Sequence, residues 1–207
     1  MSRGRALAVL GMTLLLTGCS VVQGPSRPTF RVFTLEAEPT AAPVAVSEAV
    51  TEGAVVVVAI PENGPGYATN AMAYSRGEAE LEYFAAHRWA DTPGRMIAPV
   101  LQEALTSTGV FSAVAAMPTR VLGDFVLESE VLAFRQELGE GAPRFRATLR
   151  VTFVGPGRDG RTGSRTFRVT EPLEGSGPVA GVAAANRAVT ELARQVAEFC
   201  VEVGRRE

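Results

Sequence analysis

The chain has 207 residues, 46% of them hydrophobic and 20% charged, with 20 basic against 22 acidic side chains and a formal charge of −2. This near-balance gives no electrostatic drive toward nucleic acid, which needs a basic surface. All the basic residues are arginine, a compositional trait that carries no mechanism.

Residues 1–18 read as a signal peptide. Arg3 and Arg5 form a basic flank, and Ala6 to Leu16 is an apolar stretch shorter than the roughly 20 residues a membrane span requires. The closing Leu16-Thr17-Gly18-Cys19 resembles a lipobox, in which small residues admit a signal peptidase that cleaves between Gly18 and Cys19. The Cys19 thiol then takes a diacylglycerol, and acylation of the palmitate type anchors the mature chain to a membrane at ~0.8 kcal/mol per buried methylene. Ser20, rather than aspartate, follows Cys19; by resemblance to bacterial lipoproteins this is an address for the periplasmic face of the outer membrane rather than the inner one. With Cys19 acylated, Cys200 has no disulfide partner, and its apolar helical neighbours Val196, Phe199 and Val203 make it a buried small hydrophobe.

Residues 19–29, rich in proline, glycine and polar side chains, form a lipidated tether, and residues 30–207 form one domain, within the usual size range. Phe30 to Leu35 alternates as a short strand. An Ala/Pro/Glu-rich insert from Glu36 to Gly53 is read as a long surface loop. Ala54 to Ile60, an unbroken apolar run with valine at four successive positions and closed by Pro61, suits a central strand covered on both faces. Ala71 to Arg76 and Glu80 to Phe84 form a hairpin about Gly77, with Glu78, Glu80 and Glu82 on a solvated face.

A helix is expected from Asp91 to Gly109, capped by Asp91 or Thr92, opened by Pro93 and closed by Gly109; Pro99 predicts a later start or a kink. A strand over Val110 to Ala116 follows. Asp124 to Glu137 is a long strand with Phe125, Leu127, Val131 and Ala133 on one face. Arg144 to Val154 alternates strictly, with Phe145, Ala147, Leu149, Val151 and Phe153 inward and Arg144, Arg146, Thr148, Arg150 and Thr152 outward. Arg165 to Thr170 repeats this with Phe167 and Val169 inward. Pro178 to Val203 is a helix whose apolar positions alternate by threes and fours through Val182, Val189, Leu192 and Val196. That seam is a core-facing stripe or, through Val189, Leu192 and Val196, a helix-to-helix contact in a homo-oligomer. The resulting fold class is α/β (α+β), a mixed, mainly antiparallel sheet with two main helices on one face.

Chemistry-bearing constellations are few. Gly155 to Gly160 matches G-x-G-x-x-G by letter, yet lies between two strands, where Asp159-Gly160 makes a hairpin turn and not the helix start a dinucleotide needs. His87 is the one histidine, and His87-Arg88-Trp89-Ala90-Asp91 has no nucleophile and base pair. It reads as a strand-to-helix junction, with Arg88, Trp89 and Asp91 as candidate structural or docking residues. The arginines over 144–150 either bind phosphate headgroups of a phospholipid or pair with Glu128 and Glu130 across the sheet; pairing is favoured. No catalytic residue, metal site or cofactor is assigned.

In order, the lipobox Leu16 to Cys19, the strand Phe30 to Leu35, the strand Val55 to Ile60 before Pro61, Arg88-Trp89-Ala90-Asp91, Leu101 to Phe111 and the alanine-rich helix from Val182 resemble the ABC-type transport auxiliary lipoprotein family. The insert at 36–53 departs from its compact spacing. The resemblance implies a non-enzymatic component of a Pqi- or Mla-like system moving lipid between membranes, with an MCE-domain protein, an integral permease and a cytoplasmic ATPase as partners. The competing class is a periplasmic cell-envelope assembly lipoprotein, resembling the TolB amino-terminal domain or the activators of cell-wall synthases.

Overall fold

The structure, a computed structural model, describes residues 29–38, 53–77, 79–156 and 162–205. The cleavage site Gly18/Cys19, nearly all of the tether and the insert, Glu78 and the turn at 157–161 lie outside the described residues. In chain order the elements are β1 (Arg31–Phe33), β2 (Val55–Val58), β3 (Glu62–Asn63), β4 (Ala71–Ser75), β5 (Glu82–Trp89), α1 (Pro93–Ser107), β6 (Ala113–Ala116), β7 (Phe125–Glu137), β8 (Arg144–Val154), β9 (Thr162–Pro172) and α2 (Gly177–Arg205).

β7 is the spine of a mixed nine-stranded sheet. One edge pairs antiparallel with β8 along its length, and β8 pairs antiparallel with β9. The other edge of β7 receives β2, β3 and β4 in succession, each parallel to it. Beyond them the sheet forks: β6 lies parallel to β2, while β5 pairs antiparallel with β4 and carries β1 parallel on its far side. The longest ladders are the antiparallel ones; the parallel ladders are short. β2 is flanked on both edges and buried on both faces, as its run of four valines requires.

The inward residues of β8, Phe145 to Phe153 on alternate positions, are all buried, as are Phe167 and Val169 of β9. Both helices cover this face: α2 contacts β8, β9 and α1, and α1 contacts β6, β7, β2 and β3. α2 fits closely because glycines stand where it meets the sheet. A Cβ on Gly163 of β9 would lie 2.7 Å from Val203 Cγ2, and one on Gly181 would collide with the Gln136 side-chain amide. Gln136 is buried with neither amide atom hydrogen-bonded.

Three local expectations are corrected. A bulge between Val131 and Ala133 reverses the phase of β7, so Ala133 lies opposite outward Thr148 and the inward positions continue at Phe134 and Gln136. α1 starts at Pro93 and continues past Pro99, which is exposed. Of the two expected cap residues, Thr92 occupies the N-cap, without a side-chain bond, and Gly94 N donates to Asn63 Oδ1 at 2.8 Å. A Cβ on Gly94 would collide with the Pro61 carbonyl, so β3 and the start of α1 are locked together. Finally, the strand expected from Val110 begins at Ala113, because α1 closes through Gly109 at φ +65° and Ser112 N donates to Ala54 O before β6 pairs with β2.

Candidate functional site

The junction Arg88-Trp89-Ala90-Asp91 ends β5 between two neighbours. Trp89 N donates to Asn70 O at 2.8 Å, and Ala90 N donates to Phe33 O at 2.7 Å, so β4 and β1 both hold this end. The Trp89 indole is 1% exposed and packs on Phe134 at 5.3 Å between ring centroids. It is a core anchor and offers no docking surface. Arg88 Nη1 donates to the carbonyls of Phe84 (2.6 Å) and His87 (2.9 Å), and its guanidinium lies 4.7 Å from the centre of the Phe30 ring. It clips the incoming chain onto β5 through a cation–π contact. Asp91 is exposed and accepts from Thr92 N at 2.7 Å. His87 lies between aromatic rings, stacked on Phe33 at 6.0 Å and edge-on to Phe84 at 6.1 Å.

The seam of α2 is spent within the chain. Val189, Leu192 and Val196 are 0%, 1% and 0% exposed, leaving no surface for a second copy, so the oligomer-seam alternative fails on packing. Cys200 is a free, fully buried thiol whose pKa burial pushes far up. Such a thiol is inert as a nucleophile. Among the described residues no helix is long and apolar enough to cross a membrane.

The outward face of β7 and β8 carries a cluster of paired charges. Pairing across the sheet is what the arginines do, but with Glu137 and Glu130 rather than Glu128. Arg150 Nη1 meets Glu130 Oε2 at 2.8 Å. Glu137 accepts from Arg144 Nε at 2.7 Å, Arg146 Nη2 at 3.0 Å and Arg135 Nη2 at 3.3 Å. The register makes this hub: Glu137 pairs with Arg144 across the β7–β8 turn, and Arg135 with Arg146. Burial pushes the Glu137 carboxyl up, but the bonds from Arg144 and Arg146 and the charges of Arg146 and Arg135 outweigh it and hold its pKa below the ordinary range. The sequence signal was present, since Glu137 and Arg144 flank a Gly-containing turn, but only the register reveals that three guanidiniums converge on one carboxylate.

A family model described as "ABC-type transport auxiliary lipoprotein component" matches residues 33–197. Among solved structures, a Xanthomonas campestris protein of the DUF330 family aligns with a TM-score of 0.67 at 22% identity, covering 86% of this chain and 94% of that one. An uncharacterized protein aligns with a TM-score of 0.62 at 13% identity, covering 83% and 98%. These likenesses are of fold. No curated protein matches the chain.

Proposed function

The chain belongs to the ABC-type transport auxiliary lipoprotein family, and from that membership we propose that it is the membrane-anchored, non-catalytic lipoprotein of an MCE-linked system carrying lipid between two membranes. Lipids on Cys19 hold it at the periplasmic face of the outer membrane. There it docks or stabilises the tip of a periplasmic conduit formed by an MCE-domain protein, whose permease and ATPase work at the inner membrane. The observation that carries the reading is the family match over most of the domain, joined to a lipobox in the sequence. The packing is consistent with a passive role: the lone histidine is wedged between rings and the one described cysteine is sealed in the core.

The test is crosslinking with mass spectrometry in the native host, on tagged protein with Cys19 intact and on a Cys19→Ala control. The expected result is an MCE-domain protein recovered with the intact form and reduced in the control. Recovery of cell-wall synthases or Tol components without any MCE-domain protein would replace this reading with envelope assembly.

A further inference from the structure

Among the described residues four strands pair along one edge only. β1, β3 and β6 have three, two and four residues, whereas β9 has eleven. An open edge is a row of unpaired donors and acceptors, which proteins commonly blunt with short strands, bulges or proline. β9 has none of these before its last residue, Pro172, and its register with β8 runs from Thr162 to Pro172 without a shift. Arg165, the cation on its inward side, is folded back over the Phe199 ring at 4.7 Å and bonded to Glu202.

The hydrogen-bonding phase fixes which groups are free. Leu173 N donates to Pro143 O at 3.0 Å, and from that pair the antiparallel ladder alternates. Glu171, Val169, Phe167 and Arg165 therefore bond to β8, while Thr170, Arg168, Thr166 and Ser164 direct their N–H and C=O groups away from it. All four of these residues are exposed, and their main-chain groups have no other partner among the described residues. Pro172 falls on the same open side, where its missing N–H breaks no ladder bond. Beside the edge runs a groove of about 570 Å³, lined by Arg165 to Arg168 and by Gln195, Glu198, Phe199 and Glu202 of α2.

A row of N–H and C=O groups at two-residue spacing is matched by another extended chain. Charge says which chain. On the α2 side of the groove, Glu198 and Glu202 are held by Arg194 and Arg165. On the outward side, Arg146 and Arg150 are held by Glu137 and Glu130. Arg168, exposed and opposite Thr148, has neither an ion pair nor a hydrogen bond among the described residues. An incoming strand thus meets one unspent cation, on the outward face near the middle of the edge. The same side chain disfavours a second copy: two β9 strands overlapped over their full length would set their Arg168 side chains at diagonal positions, where long side chains meet and like charges repel.

We propose that the open edge of β9 is a docking site for an extended segment of a partner protein, added as a further strand with a carboxylate opposite Arg168. The proposal rests on the edge and its charge, and it stands or falls without the transport reading.

The test uses the full chain in micelles of an uncharged detergent and a fluorescent peptide, acetyl-Thr-Val-Thr-Glu-Thr-Val-Thr-amide, followed by anisotropy and by amide hydrogen exchange. The peptide should bind and slow exchange at Ser164, Thr166, Arg168 and Thr170. Thr166→Pro removes a donor that β8 does not use, so the β8–β9 ladder should persist while binding weakens by about tenfold or more. Arg168→Gln should weaken the Glu peptide by about threefold or more and leave a Gln counterpart unchanged, a split that no folding defect produces. Equal binding by wild type and Thr166→Pro, or undiminished binding of a peptide N-methylated on the residues that face the edge, overturns the site. Equal binding of the Glu and Gln peptides to wild type overturns the acidic occupant. Protection of these four amides without peptide also overturns the proposal: a larger assembly by light scattering then assigns the edge to a second copy, and protection lost on deleting residues 39–52 assigns it to the chain's own insert.

Discussion

The two faces of β7 and β8 are made from alternate residues of the same strands and obey opposite physics. Inward, Phe125 stacks on Phe153 at 4.8 Å, Phe134 meets Phe145 edge-on at 4.9 Å, and α2 closes over them. Outward, Arg135, Arg144 and Arg146 surround Glu137, and Arg150 reaches Glu130. Stability is concentrated on the first face, because removing apolar area from water is worth roughly 25 cal/mol per Å² and exposed ion pairs are worth little. The second face keeps its charge in contact with solvent.

If that division is right, substitutions should sort by face. The largest loss is expected for Trp89→Ala, which opens a hole beside Phe134: about 3–5 kcal/mol, read from the denaturant midpoint. A change under 1 kcal/mol would mean that the junction is not part of the inner core. Leu192→Ala, in the middle of the α2 seam, should cost about 2–5 kcal/mol, with no change in assembly size by light scattering. A folded, smaller assembly would restore the seam as an interface between copies.

Glu137 tests the boundary between the two regimes, being outward yet only 14% exposed at its side chain. Its folded pKa is depressed below the ordinary 4.5, so its stabilising contribution is present above that value and is lost as pH falls through the folded pKa. Wild type should therefore exceed Glu137→Gln in stability at neutral pH, and the gap should close on acidification below about 4.5. A gap that does not vary with pH would remove the ionic explanation. Smallest of all is Arg150→Gln: with Arg150 54% exposed and Glu130 33%, the change should stay within about 1 kcal/mol and shrink further in salt.

What the sequence disclosed follows from the same contrast. The inner face of β8 and the seam of α2 were legible because their periods run unbroken through Phe145 to Phe153 and Val182 to Val203. The phase of β7 was not, since a single extra residue near Leu132 leaves no compositional mark yet exchanges the faces of everything after it. The Asn63 cap of α1 comes from 31 residues away, outside any local window. Trp89 was legible as a candidate structural or docking residue; the convergence on Glu137 was not, because it depends on cross-strand register, and Glu128 and Glu130 offered equally plausible charges nearby.

The end-to-end row of β2, β3 and β4 along one edge of β7 has a kinetic side. Val56 pairs with Phe125 and Ala73 with Arg135, so each of the three ladders in this row must close a loop of more than sixty residues before any contact repays it, whereas β7, β8 and β9 follow one another closely in sequence. Loop-closure entropy favours the carboxy-terminal meander as the nucleus, with the amino-terminal strands threading onto its finished edge afterward. In pulsed hydrogen exchange, amides of Leu149 and Val151 should become protected before those of Val57 and Val58. The half of the chain synthesised and exported last would then be the template on which the half that emerges first is completed.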